Sequence, residues 1–301
     1  MDAKVLYDVF HLNYWDWRVA LDLFLGGLGV GAYLFAIFVS WYYKEAHPEV
    51  SKVGAIIAPI ATLGGLFFLL LELGQPLRAY HMLFSFHPTS PLWWGGWLQG
   101  VFLVIAIKHA QLWLRGKPEE AVLRKKLGFW GVPFALVVGG YHGFLMTIVK
   151  AHPLWNAGPA TVTALLGFTI TGIAAVVLVL CLSSKAAEVL GGIPLTRDIL
   201  GAAIAAQLFT IFMWTVALFN GPKASAQALH ELNAHYGLLF WGVAVGVGLV
   251  APMVIGVREI VREGADSSKV VNTQLPLVTS GMVLVGALVF RYIILVSGQA
   301  Y

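Results

Sequence analysis

The sequence predicts an all-α integral membrane protein, an eight-transmembrane-helix bundle, and three observations carry that expectation. Hydrophobic residues make up 59% of the 301 residues and charged residues 11%, with a mean hydropathy of +0.80, whereas a soluble domain is about 25% charged. Eight separate stretches are long and apolar enough to cross a bilayer, which takes about 20 residues of helix. These runs lack the alternation of barrel strands, and helices and closed barrels are the two ways to satisfy backbone polar groups in lipid.

In order along the sequence the predicted spans are Trp17 to Tyr43, Val53 to Leu71, Leu92 to Leu114, Gly128 to Val149, Pro159 to Leu182, Ile199 to Phe219, Tyr236 to Val257 and Leu275 to Val296. Eight spans admit a division into two four-helix halves, but no internal repeat is evident. The stretches between spans are too short to fold unaided, so residues 1–301 read as a single polytopic membrane domain. The N-terminal stretch holds Asp2, Asp8 and Asp16 with Lys4. That is the wrong charge pattern for a cleaved signal peptide, and the first helix is expected to direct its own insertion.

Orientation follows from the distribution of Lys and Arg between the two sides. The connections after the first, third, fifth and seventh spans hold most of them, with the densest run between Arg115 and Lys126. The N-terminus and the alternate connections hold Lys4, Arg78, Lys150 and Lys223. Both termini are therefore expected on the outside, which in a bacterium is the periplasmic face of the inner (cytoplasmic) membrane. The net charge of +4 and the pI near 9.1 reflect these orienting loops rather than a nucleic-acid surface. The lone cysteine, Cys181, lies inside an apolar run. It leaves no cysteine set for an iron–sulfur cluster, a haem attachment or an internal disulfide. A membrane haem needs two imidazoles from different helices at matching depth, and of the nine histidines His142 alone reads as lying well inside a span. No haem or metal site is expected.

A polar seam, Glu72 to Trp97, lies between the second and third spans. Pro76, Pro88 and Pro91 interrupt helix propagation there, while Trp93, Trp94 and Trp97 suit the headgroup level. A carboxylate and a guanidinium at a membrane boundary mark a candidate site unless they are simply paired or wetted. Glu72 and Arg78, with Gln75 beside them, fit either a cap and clamp or a proton relay to the outer water. In the first span Arg18 and Asp22 are four apart, share a helix face and can pair. They read as an interfacial ion pair, or as an acid one turn deep facing a pocket. Gly26, Gly27, Gly29 and Gly31 follow; no strand precedes them, and small residues in a membrane helix point to close packing rather than to a dinucleotide.

Tyr141 and His142, flanked by Gly139, Gly140 and Gly143, fall in the outer half of the fourth span. A phenol or imidazole facing a cavity can hydrogen-bond a quinone carbonyl and pass a proton; the bland alternative is an interhelical hydrogen bond. Arg291 lies inside the last apolar run, with Gln299 beyond it. It needs a carboxylate or carbonyls, and reads as a structural salt bridge or a relay element. Lys108 and His109 lie toward the opposite end of the third span.

Taken in order, Phe24 to Ala32 (FLGGLGVGA), Glu72 to Arg78 (ELGQPLR), Ser90 to Trp97 (SPLWWGGW), Tyr141 to Leu145 (YHGFL), Pro153 to Asn156 (PLWN), Arg291 and Ser297 to Gln299 (SGQ) resemble the NrfD/PsrC family. These are the membrane subunits of polysulfide reductase and related respiratory complexes. The resemblance spans the whole sequence and implies an eight-helix subunit that binds menaquinone or ubiquinone and has no cofactor of its own. It also implies electron exchange with a docked, periplasmic four-cluster iron–sulfur subunit serving a catalytic subunit, often a molybdopterin oxidoreductase. Tyr141 stands where the family has its quinone-contacting tyrosine, and Arg18 and Asp22 where it has a polar pair facing the quinone. His142 replaces a small hydroxyl residue, and Glu72 and Gln75 stand where many relatives have Asp and Arg.

The resulting expectation is quinone binding at Tyr141, Asp22, Arg18 and His142. Glu72, Asp22 and Arg78 would transfer protons, and Arg291 and Gln75 would serve as structural or relay elements. Two other classes fit the composition. One is a transporter using Asp22, Glu72 and Arg291 as a path, which calls for broken helices and inverted repeats; the other is a membrane anchor without quinone chemistry.

Overall fold

The computed structural model describes residues 15–43, 46–149, 152–155, 160–184, 186–265 and 273–299. The acidic N-terminal stretch, Lys44, Lys150, Asn156, Lys185 and Lys269 lie outside them. The described residues are overwhelmingly helical, and eight helices are long and apolar enough to cross a membrane, as the sequence predicts.

The spans are α1 (Trp17–Tyr42), α2 (Pro48–Glu72), α4 (Pro91–Arg115), α5 (Ala121–Ile148), α6 (Ala160–Cys181), α8 (Leu195–Phe219), a long seventh span and α11 (Gln274–Gln299). Short α3 (Tyr80–Phe84) and α7 (Ala186–Gly191) lie in connections. The seventh span runs through α9 (Lys223–Gly237), a π-helical stretch (Leu238–Val250) and α10 (Ala251–Ala265).

Local chemistry sets the helix ends. Asp16 caps α1, its carboxylate accepting from the Arg18 amide at 2.7 Å, as an N-cap acid should. Pro48 and Pro91 occupy the first helical positions of α2 and α4, where the missing N–H costs nothing. Gly116 closes α4 at φ 64°, the left-handed turn suited to a residue without a side chain. Several helices outrun their predicted ends because polar turns such as Glu49 to Lys52 continue the helix past the apolar run. The largest difference is at Asn220 to His235, which reads in sequence as a loop. Most of it is α9, which buries Ala228, Leu229 and Leu232 and so gains packing that a hydropathy window does not register.

Packing centres on α1, whose most apolar stretch is 83% buried. Its glycines are the reason. A Cβ on Gly31 would strike the Phe168 backbone, one on Gly172 the backbone of Gly31 and Ala32, and one on Gly29 the Ala58 carbonyl and Thr62. The glycine run is thus a seam against α6 and α2, as expected, and the bundle cannot close if these positions bear side chains.

The core resolves into three main clusters, of which one joins α1, α2, α6 and α7 through Phe35, Val50, Val176, Leu180 and Val189. Val30, Tyr33, Ala58, Phe102, Ala135 and Val138 join α1, α2, α4 and α5. Ile170, Ile211, Trp214, Phe240, Val283 and Ile293 join α6, α8, the seventh span and α11. The first and last spans meet at one end of the bundle, the seam end: the Trp15 amide donates to Gln299 Oε1 at 2.8 Å and Gln299 Nε2 to the Trp15 carbonyl at 2.7 Å.

Candidate functional site

The seam end carries a rim of charge around Arg18. Its guanidinium reaches the Asp16 carboxylate (Nε to Oδ2 2.9 Å), pairs with Glu72 Oε2 at 2.8 Å and donates to the Leu71 carbonyl at 2.9 Å. Arg18 therefore staples the start of α1 to the end of α2 instead of pairing with Asp22. The physical reason is direction: helix side chains lean toward the N-terminus, which carries the guanidinium to the rim while Asp22 sits a turn deeper. The Arg18 hydrogen bond holds the Asp16 carboxyl below its ordinary range. Gln75 and Arg78 lie on the exposed short turn that follows α2, joined by the Arg78 amide donating to the Gln75 carbonyl at 2.9 Å, and their side chains have no partner among the described residues. The structure thus separates the expected relay residues: Glu72 belongs to the rim pair, and Arg78 is open to the surroundings.

Beneath the rim Asp22 is 5% exposed, and its Oδ1 has no hydrogen-bond partner among the described residues. It faces Gly65 of α2, where an added Cβ would lie 3.0 Å from that oxygen. Tyr141, on α5, lays its ring over Gly95 of α4. The phenol likewise has no hydrogen bond to a described residue. One turn from Gly95 on the same helix, Gln99 is buried with an unpartnered amide nitrogen. Two glycines without side chains thus leave room for an acid on one side and a phenol on the other.

His142 lies behind this pair. Its Nδ1 donates to the Val138 carbonyl at 2.8 Å, and its Nε2 is directed toward Gly26, where a Cβ would be 3.2 Å away. Phe168 packs edge-to-face against the imidazole at 5.9 Å, and its other side meets Arg291, whose Cζ is 4.5 Å from the ring centroid. Arg291 is 8% exposed and donates to the Ala164 carbonyl at 3.1 Å. No carboxylate among the described residues reaches it, so carbonyl and ring replace the expected salt bridge. His109, at the opposite end, accepts from Trp113 Nε1 at 3.1 Å; Lys108 is exposed.

The ordered motifs, the eight spans and the buried acid–phenol pair all point the same way, and comparison with known proteins decides the matter. Residues 7–301 match the family described as Polysulphide reductase, NrfD. The chain belongs to the NrfD family. Among curated proteins, this NrfD-family member is 25% identical to one of the chains of polysulfide reductase from Wolinella succinogenes, over 95% of each sequence. It is 23% identical to protein NrfD of Escherichia coli K12, again over 95% of each. One of the subunits of selenate reductase from Mesobacillus selenatarsenatis is 20% identical over 80% of this chain and 66% of its own length. The NrfD-family protein is thus a multi-pass membrane protein related to subunits of reductase complexes. No group of His, Cys, Asp and Glu among its described residues could hold a metal ion.

The sequence reading missed Gln99, Gln207 and Thr163, buried polar residues with unpartnered side-chain atoms. A signal was there: each is a polar residue inside an apolar span, which in lipid is costly without a role.

Proposed function

We propose that this protein is the quinone-reactive membrane subunit of a respiratory oxidoreductase complex, with menaquinone or ubiquinone held between Asp22 and Tyr141 at the seam end. The carrying observation is Asp22, a carboxylate buried inside an apolar span with one oxygen lacking a hydrogen-bond partner among the described residues, in a member of the NrfD family. The residues fit such a head group: Tyr141 O–H would donate to a quinone carbonyl oxygen and Asp22 would accept from a quinol hydroxyl. A bound quinone supplies two-electron, two-proton redox chemistry. Asp22 takes or returns a proton at the oxygen next to it, and Tyr141 orients the ring and shares in the hydrogen bonding. His142, fixed by Val138, packs behind Tyr141. Arg18 holds the rim, and Glu72 with its salt-bridged partners passes protons to the outer water, with Arg78 beyond.

In this reading the seam end and both termini face the periplasm, and the protein lies in the bacterial inner membrane as one polytopic unit. A periplasmic four-cluster iron–sulfur subunit docks over the seam and serves a catalytic subunit, of the molybdopterin class. The relatives named as parts of polysulfide and selenate reductases support a partner of that kind. Arg291 and Gln75 act through structure rather than by touching the quinone.

In the assembled complex, Asp22→Asn is expected to lower quinol-linked turnover about 100-fold, as for an acid–base group, and Tyr141→Phe about tenfold, as for the loss of one hydrogen bond, while assembly is kept. Full turnover in both variants overturns the site. Orientation has its own check: Ser90→Cys is expected to react with a membrane-impermeant maleimide from outside intact cells and Lys117→Cys from the inside only.

A further inference from the structure

Two small cavities, each of about 30 Å³, are both lined by Phe290 and Arg291, the arginine that lies over the Phe168 ring, and neither is lined by Asp22 or Tyr141. Each is large enough for one or two waters or a monatomic ion. They differ in chemistry. The inner one includes Gln207, whose Oε1 is buried without a partner; an orphan acceptor beside a guanidinium calls for a bridging water. The outer one, between α5, α6, α8 and α11, has no orphan acceptor-only group among the described residues. Its Trp155 and Trp214 N–H groups are already spent on the Ile294 and Leu154 carbonyls. That leaves Arg291, with four of its five N–H donors without a partner among the described residues, and the Thr163 hydroxyl, 7% exposed with Oγ1 unpartnered. The described start of α6, Ala160 to Thr163, lies on the same wall, where backbone N–H groups and the helix dipole favour negative charge.

A guanidinium does not deprotonate in a protein, and a buried charge without a counter-charge costs several kcal/mol. One carbonyl and one aromatic face offset part of this. We infer that the outer cavity is a binding site for a small monovalent anion of halide size, held by the Arg291 guanidinium, the Thr163 hydroxyl and the first turn of α6. The site is separate from the acid–phenol pair and does not depend on the quinone reading. It supplies the negative charge that lets Arg291 lie between the two halves of the bundle.

The test uses the full-length protein, purified within the complex it assembles into and exchanged from chloride into bromide. A bromide anomalous peak is expected in the outer cavity within hydrogen-bond distance of Arg291. Thermal stability is expected to rise with halide against a gluconate control, and Thr163→Val to weaken the apparent halide affinity about tenfold, the loss of one hydrogen bond to a charged group. Arg291→Gln is expected to abolish both signals; should it fail to assemble, Thr163→Val decides. Water alone in the cavity, a carboxylate of the N-terminal segment seated there, or a halide response unchanged in Thr163→Val would each overturn the site.

Discussion

The two sides of Phe168 solve opposite electrostatic problems with the same fold. Toward α2 the bundle buries an acid, Asp22, with a free oxygen and no cation paired with it among the described residues. Toward α8 and α11 it buries a cation, Arg291, with free N–H groups and no carboxylate among the described residues. Arg18 would neutralise Asp22 if it turned inward, yet it is held at the rim by Asp16 and Glu72. The two sides differ because on one Asp22 and Tyr141 occupy the room that Gly65 and Gly95 leave, while the other holds small cavities sized for water or an ion. A buried group left unpaired by the protein is an address for something else, and the sign of the charge says what kind of guest it takes.

The largest effect is expected from removing the seam that holds the two sides together. A Cβ at Gly172 would fall on the backbone of Gly31 and Ala32, and backbone cannot give way as a side-chain tip can. Gly172→Val is therefore expected to exceed the roughly 1–3 kcal/mol of ordinary overpacking and to leave no monodisperse protein on size-exclusion chromatography. A stable, active variant would mean that α1 and α6 are not locked, and the contrast across Phe168 would lose its basis.

Next come the guests themselves. Asp22→Asn is expected to cut quinol-linked turnover about 100-fold and leave the halide-dependent stability untouched; Thr163→Val should do the reverse. If either substitution moves both readouts equally, the two sides are one site. Gly95→Ala sharpens the first side: a methyl group where the Tyr141 ring now lies displaces the phenol, and turnover is expected to fall about tenfold, a modest case of misplacement by a fraction of an ångström. Gly100→Ala, where an added Cβ meets nothing within 4 Å, serves as the control.

Much of this was legible in the sequence, and what was not has identifiable causes. The eight spans follow from run length and hydropathy because lipid imposes a strict rule on backbone groups. Asp22, Tyr141 and Arg291 stand out because ionisable or phenolic groups in apolar runs are rare. What the sequence does not encode locally is direction and partner. Helical spacing makes Arg18 and Asp22 natural partners, but the partner in space is Glu72, 54 positions further along and brought close by the α1–α2 hairpin. The bridging position of Phe168 depends on α6 crossing α1 at Gly27 and Gly31, which no pattern within either helix reveals. The α9 helix escaped because its polar surface outweighs its three buried residues in any hydropathy average.

The smallest effect is expected at the rim, where water screens what the interior cannot. Asp16 combines two roles that can be separated: it caps α1 through the Arg18 amide and pairs with the Arg18 side chain. Asp16→Ala removes both and is expected to lower stability by about 1 kcal/mol, a typical N-cap loss. Asp16→Asn keeps a capping oxygen and removes the charge, so its thermal midpoint should fall between wild type and the alanine variant. Because the Arg18 hydrogen bond depresses the Asp16 carboxyl, the charge contribution is fully present above the ordinary carboxylate range. It is lost as the pH falls through the lowered value. The gap between wild type and Asp16→Asn should accordingly be widest at neutral pH, close in acid and narrow in high salt, since both partners are one-third exposed. A gap that persists in acid and in salt would mean that Asp16 acts as a neutral cap alone, and that the rim contributes no charge to the difference between the two sides.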